Sequence, residues 1–259
     1  MMQAEVDLVH TLRNGRGMRV AISARDASLL SWWAPDRYGR MADVLAAPMR
    51  ASLPMDCLCD VVSDTSLLLR LQRDGVAERL RYRLDDEGSL HIDYEATAPN
   101  RTRITLPVPA FNLRGHETNV GDHILSLAAD RYFPCKAAGT MPLDVAGTAF
   151  DFRQPAPIAA RLAWPGTRCA AGLDHVFCLA SIGELREVVK IVDPASGRVL
   201  RFFSCGRQLH VQTDASRFFL APAALDLLPG HTARQTLVYR LGVADIDALG
   251  ISEKINQET

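Results

Sequence analysis

The 259-residue sequence has no continuous apolar run long enough to cross a bilayer. Its opening stretch, MMQAEVDLVHTLRNGRGMRV, lacks an apolar core and carries acids early, so neither a signal peptide nor a membrane anchor is expected there. An excess of charge is also missing. The formal net charge is −1 and the basic residues are scattered, so nucleic acid and anionic membrane are not expected partners. The expected location is the cytoplasm. Its reducing conditions would keep the six cysteines as free thiols rather than disulfides. Cys57-x-Cys59 is too closely spaced for a zinc pair and has no second pair to complete a site, so no metal is expected. The sequence contains no Gly-x-Ser-x-Gly elbow, no His-Glu-x-x-His and no Cys-x-x-Cys. Arg13-Asn14-Gly15-Arg16-Gly17 lacks the context of a phosphate loop.

Amphipathic helical periodicity is almost absent as well. What remains is a succession of short alternating runs separated by turn residues. LRYRL at 80–84 and LHIDY at 90–94 alternate cleanly, which gives each strand one wet face. Arg73-Asp74-Gly75, Asp85-Asp86-Glu87-Gly88 and Pro194-Ala195-Ser196-Gly197 read as hairpin turns. Trp32 and Trp33 point to opposite sides of a strand, so at least one belongs to the core. Phe218–Leu228 is the one segment expected to be helical, interrupted by Pro222, and Ile158–Leu162 is grouped with the extended runs. Roughly fifteen short strands define an all-β chain, a sandwich or a barrel. The chain reads as a single domain over 1–259, with 1–16 and 245–259 as terminal extensions. The densest turn-rich block runs from Phe111 to Pro155, with a short echo at Gly172–Leu179.

That block resembles the aldose 1-epimerase (galactose mutarotase) family. Ser31–Val44 is similar to the family's opening strand pair. Phe111–Leu113 is similar to the tail of its Asn-His-Ser/Thr-Tyr-Phe-Asn-Leu motif. Asp122-His123, Ala129–Pro134, Ala146–Arg153, Gly172-x-Asp174-His175-x-Phe177 and Asp193–Leu200 follow in the family's order. The resemblance implies a large antiparallel β-sandwich of the galactose-mutarotase-like type, an aldohexose as partner and no cofactor. It also implies a reaction in which a Glu takes the anomeric proton while a His protonates the ring oxygen.

The residues that would do this are mostly missing, so the chain is similar to a shortened, active-site-depleted member. The acid position falls on Val108, or on Pro109 if a bulge shifts the register. The base position falls on Ala221. The segment that should bring an Arg and a second His is reduced to Ala46–Ser66, with no His and only Arg50. Of the family's functional residues, Asp174 alone stays in its motif, as a hydroxyl-binding carboxylate or a local backbone cap. His175 and His116 are the other candidate sugar-binding residues, with His116 as an improvised acid. His123 matches a non-catalytic His. Arg131 and Arg153 read as salt links, and Tyr132 and Phe133 as packing residues. The resemblance thus implies a ring-form aldohexose binder with weak or no mutarotation. Two other readings remain, a working epimerase with substitute residues and a structural or regulatory protein without a sugar site. Because alternating runs far outnumber helical ones, far-UV circular dichroism should show a strand-dominated spectrum, and a helical double minimum would contradict the fold.

Overall fold

Alternation along each strand sorts the side chains into two faces, and the computed structural model shows this over residues 9–46, 56–115, 119–134, 141–164, 172–179 and 183–244. In the strand Val76–Leu84, Leu80, Tyr82 and Leu84 are buried while Arg79, Arg81 and Arg83 are exposed. This strand lies inside a nine-stranded antiparallel sheet. Its spatial order is Ala156–Pro157, Ile124–Leu127, Arg186–Val192, Arg198–Ser204, Thr232–Val243, Ser89–Thr97, Val76–Leu84, Ser66–Arg73 and Asp56–Ser63. A six-stranded sheet runs Ala110–Phe111, Phe218–Pro222, Gln208–Thr213, Asp174–Leu179, Ala129–Phe133 and Leu143–Asp144. A four-stranded meander (Val9–Arg13, Arg19–Ser23, Leu29–Pro35, Met41–Asp43) and the pair Leu225–Leu227 with Thr102–Ile104 complete the set. The chain is therefore a large antiparallel β-sandwich. Its shared core joins Phe202 and Tyr239 of the larger sheet to Phe111 and Phe218 of the smaller one, with Phe111 and Tyr239 ring centres 5.5 Å apart. Trp32 is fully buried in this core and Trp33 is half-buried.

Two segments depart from the sequence expectation. Phe218–Leu228 is not helical. It forms the strands Phe218–Pro222 and Leu225–Leu227, with Phe218 and Leu220 fully buried. Pro222 cannot donate the helical hydrogen bond, and pairing of Phe218–Pro222 with Gln208–Thr213 decides the conformation. The helix is Ile158–Leu162 instead. Its Ala-Ala-Arg-Leu run has high helix propensity, which outweighs an extended reading of five residues. The meander also begins at Val9, because Val9–Arg13 pairs along its length with Arg19–Ser23.

A buried ionic turn ties these layers together. Gly197 takes φ +73° and closes the hairpin between Arg186–Val192 and Arg198–Ser204. Asp193 and Arg198, at its two ends, are both buried. The Arg198 guanidinium donates to the carbonyls of Ala34 (3.2 Å) and Arg40 (2.9 Å), both in the meander, and to that of Leu113 (2.9 Å). Asp193 accepts from Arg114 at 2.9 and 3.1 Å and from the Ser196 amide at 2.9 Å. Burial pushes the Asp193 carboxyl up. The hydrogen bonds from Arg114 and Ser196 outweigh it and hold the group below the ordinary carboxylate range. Its contribution to stability is therefore present above the unfolded value of about 3.9 and is lost as pH falls through the lower folded value. Removing one partner of a buried pair commonly costs about 3–5 kcal/mol, because the other charge stays buried. Asp193→Ala should lose about that much in urea unfolding at pH 7, and Asp193→Asn less; a change below about 1 kcal/mol for the alanine variant would refute the role.

His123 is fully buried beside this turn, and its Nε2 accepts the Leu113 amide at 3.2 Å. Burial pushes its pKa down to about 4, with nearby Asp193 opposing the shift. Between pH 6.5 and about 4 the unfolded chain binds a proton at this residue that the folded chain refuses. Stability should thus decline with falling pH across that window. His123→Gln, with an amide oxygen to accept from Leu113, should flatten the slope, as measured by urea midpoints at pH 7, 6 and 5. An unchanged slope would mean that other groups produce it.

Candidate functional site

The six-stranded sheet turns one face toward the core and one toward solvent. Along Asp174–Leu179, His175, Phe177 and Leu179 are buried, and Asp174, Val176 and Cys178 are half-buried. Along Gln208–Thr213, Leu209, Val211 and Thr213 are buried, leaving Gln208, His210 and Gln212 on the outer face. Antiparallel register sets Val176 opposite His210 and His210 opposite Ala221, while Asp174 faces Gln212. Asp174 and His210 are therefore diagonal neighbours on the wet face. This face forms one wall of a cleft of about 560 Å³. The opposite wall is the segment 103–110 with the turn at Ala27–Leu29, and Tyr82 and Ile92 of the larger sheet also line it. Tyr82 fixes the turn by donating its hydroxyl to the Ala27 carbonyl at 2.6 Å.

Asp174 enters its strand through Gly172, whose φ of +118° brings it against the Thr213 backbone. A Cβ at Gly172 would lie 2.1 Å from the Thr213 carbonyl oxygen, so the approach requires glycine. The close approach lets the Leu173 amide donate to Thr213 Oγ1 and the Thr213 amide donate to the Leu173 carbonyl, each at 2.8 Å. The register that delivers Asp174 to His210 starts at this crossing. His210 Nε2 lies 2.7 Å from Asp174 Oδ1, and both side chains keep more than a third of their surface exposed. An ionised carboxylate only accepts hydrogen bonds, which assigns the hydrogen to Nε2. Nδ1 is then the open nitrogen of the ring, and no partner for it occurs among the described residues. Arg103, Thr105, Gln208 and Gln212 add hydrogen-bonding groups to the cleft.

The candidates named from sequence divide between the two faces. Val108 and Ala221, where the sequence reading expects the acid and base positions to fall, both line the cleft, as does Pro109, the alternative to Val108. Asp174 stands at its edge through its bond to His210. His175 points the other way. It is 5% exposed and packs on Phe150 with ring centres 4.1 Å apart, and against Tyr132 at 5.7 Å. Burial pushes its pKa down. His116 lies outside the described residues. Arg131 pairs with Asp144, and Arg153 pairs with Asp151 and Asp130. Tyr132 packs on Phe150 and Phe177, and Phe133 is half-buried opposite Val176. His210 was not singled out from sequence. Its signal was the polar-apolar alternation of QLHVQT, which shows that it is on a wet face but not what stands beside it. Grooves on the outer face of the nine-stranded sheet are lined by exposed arginines and acids, including Arg79 and Arg234 with Glu95, that pair with each other. Among the described residues, no cluster of three or more His, Cys, Asp or Glu is placed to hold a metal.

Known proteins share this arrangement of strands. A homologue of aldose epimerases from C. elegans superposes with a TM-score of 0.79 at 13% identity, covering 92% of this chain and 99% of its own. A galactose 1-epimerase from Lactobacillus acidophilus gives 0.71 at 19% identity, covering 95% and 97%. At these identities the likeness concerns the fold. In sequence, the chain is 36% identical over 115 residues to an aldose 1-epimerase of Escherichia coli (strain K12), covering 42% of this chain and 33% of that protein. It is 34% identical over 124 residues to a galactose mutarotase of Homo sapiens, covering 46% and 35%. The alignments thus span about a third of the length of these curated relatives. The family model for aldose 1-epimerase matches residues 76–227, more than half of the sequence, and the chain belongs to that family.

Proposed function

We propose that the cleft binds the ring form of an aldohexose and that the chain interconverts its anomers only weakly. The observation that carries this reading is the make-up of one cavity. Its sheet wall presents Gln208, His210 and Gln212 with Asp174 at the edge, while Val108 and Ala221 stand where the family pattern calls for the acid and the base. A carboxylate has several acceptor lone pairs, so one that already takes a hydrogen bond from an imidazole can also accept one from a sugar hydroxyl, and the amides can donate or accept around the ring. Ring opening needs a base at the anomeric hydroxyl and an acid at the ring oxygen. Each positioned group is commonly worth about 10²–10⁴-fold, so losing both leaves slow turnover. Relatives named aldose 1-epimerase and galactose mutarotase support a small sugar as the partner. The cleft lining is largely apolar, and it is the polar set Gln208, His210 and Gln212 gathered on the sheet wall that favours a sugar site over a structural protein without one. A cytoplasmic location goes with this reading, and no helix among the described residues is long and apolar enough to cross a membrane.

Titration with D-galactose and D-glucose, followed by NMR, should show binding that Asp174→Ala weakens by about 10–100-fold, the range for one hydrogen bond to a charged group. Polarimetry should show slow wild-type mutarotation, raised by a Val108→His plus Ala221→Glu variant if the pocket geometry has outlasted its chemistry. Absence of binding to either sugar would refute the sugar reading. Wild-type turnover as fast as a two-group site supports would refute the weak activity.

A further inference from the structure

We propose that His210, held by Asp174, is the proton-transfer group of the cleft, acting as a single base at the anomeric hydroxyl. The inference rests on the sugar reading of the cleft and adds a residue outside the matched motifs. Three observations lead to it. His210 is the one imidazole lining the cleft among the described residues. Its Nε2 is engaged by Asp174 Oδ1 at 2.7 Å, which fixes the ring and leaves Nδ1 as the open nitrogen. It also stands directly opposite Ala221 in the sheet register, so an imidazole occupies the strand position next to the vacant base position. A carboxylate behind an imidazole orients the ring and stabilises the cation formed when the open nitrogen takes a proton.

The step balances with water as the second partner. Neutral Nδ1 takes the proton of the anomeric hydroxyl as the exocyclic oxygen becomes the aldehyde carbonyl. The bond between C1 and the ring oxygen breaks with its electron pair going to the ring oxygen, which takes a proton from water. Rotation about the C1–C2 bond and the reverse sequence close the ring on the other face. The imidazolium returns its proton to the new anomeric oxygen, and the hydroxide left by water recovers the proton from the reclosing hydroxyl. Few charged groups face the imidazole. Asp174 adjoins it on the neighbouring strand, with Cys178 further along that strand. Arg103 and Tyr82 line the cleft from other elements. His175 sits on the opposite face of the sheet.

The test follows anomer interconversion of D-galactose and D-glucose by the full chain in weak buffer from pH 5 to 8, with sugar binding measured in parallel by NMR. Wild type should exceed the buffer rate. His210→Gln should lower the protein's own contribution by about 10²-fold or more when measured at saturating sugar, so that the loss exceeds any accompanying loss of sugar binding. Sugar binding with interconversion at the buffer rate across the whole range would overturn the role of His210 and leave the sugar reading intact. Undiminished turnover in His210→Gln would do the same. No binding of either sugar would overturn both. Should His210→Gln fail to fold, His210→Asn takes its place, and undiminished turnover in that variant refutes the proposal.

Discussion

Burying Asp193 and Arg198 around one turn, with the half-buried Arg114 against the aspartate, carries a desolvation cost, and hydrogen bonding across that turn offsets it. Arg198 spends its donors on three carbonyls, from Ala34 and Arg40 of the meander and from Leu113. Leu113 ends the segment whose earlier residues, 103–110, form the far wall of the cleft. That segment is gripped again at Ala110, which accepts from the Ala46 amide, and at Asn112, whose amide donates to Val44. The cleft therefore has two walls of different origin. One is a sheet held by its own ladder. The other is the segment 103–110, which leaves the strand Thr102–Ile104, joins the first sheet only at its edge through Ala110–Phe111, and is tied to the ionic turn and the meander. Loosening Asp193 or Arg198 would act on the cleft from a distance, through backbone placement rather than through any contact with its contents.

A second constraint is the period of two along a strand, which assigns neighbours in sequence to opposite sides of the sheet. Asp174 and His175 are adjacent in the chain, yet the first stands at the cleft and the second packs on Phe150 in the interior. The converse holds for Asp174 and His210, distant in sequence and 2.7 Å apart in space. Which polar groups this chain turns toward the cleft is thus a property of register. Shifting Gln208–Thr213 by one residue would bury His210 and expose Val211. The Gly172 crossing against Thr213 pins this register.

These constraints explain what could be read in advance. Alternation in the runs around 80–94 and the turns at Gly75, Gly88 and Gly197 made the all-β character legible, because each signal is local. The motif around Asp174 was legible through family resemblance. The misread segment, Phe218–Leu228, is apolar at nearly every position, so it carries neither period cleanly and pairing decides its form. His210 could not be recognised because its significance lies in a cross-strand diagonal, and a strand's residues do not state which strand will lie beside them. His175 invited a functional reading because of its neighbour in sequence, while the pleat decides its surroundings.

The depleted positions follow their own physical logic. An acid and a base kept ready in a partly dry cleft must hold ionisable groups away from full solvation, at a cost to stability that selection retains only for catalysis. Val108 and Ala221 carry no such cost, and both fit their surroundings as half-buried apolar side chains. The Asp174–His210 pair differs, because each partner supplies the hydrogen bond the other needs and both keep contact with water. A pair of this kind can persist after the costlier groups are gone. The pair stands on the sheet side of the cleft, while Arg103, Thr105 and the apolar run Leu106–Pro109 line it from the other segment. On the proposed function, one-sided proton transfer would leave protonation of the ring oxygen to solvent, and this asymmetry, more than the absence of either group alone, would set the rate the cleft can reach.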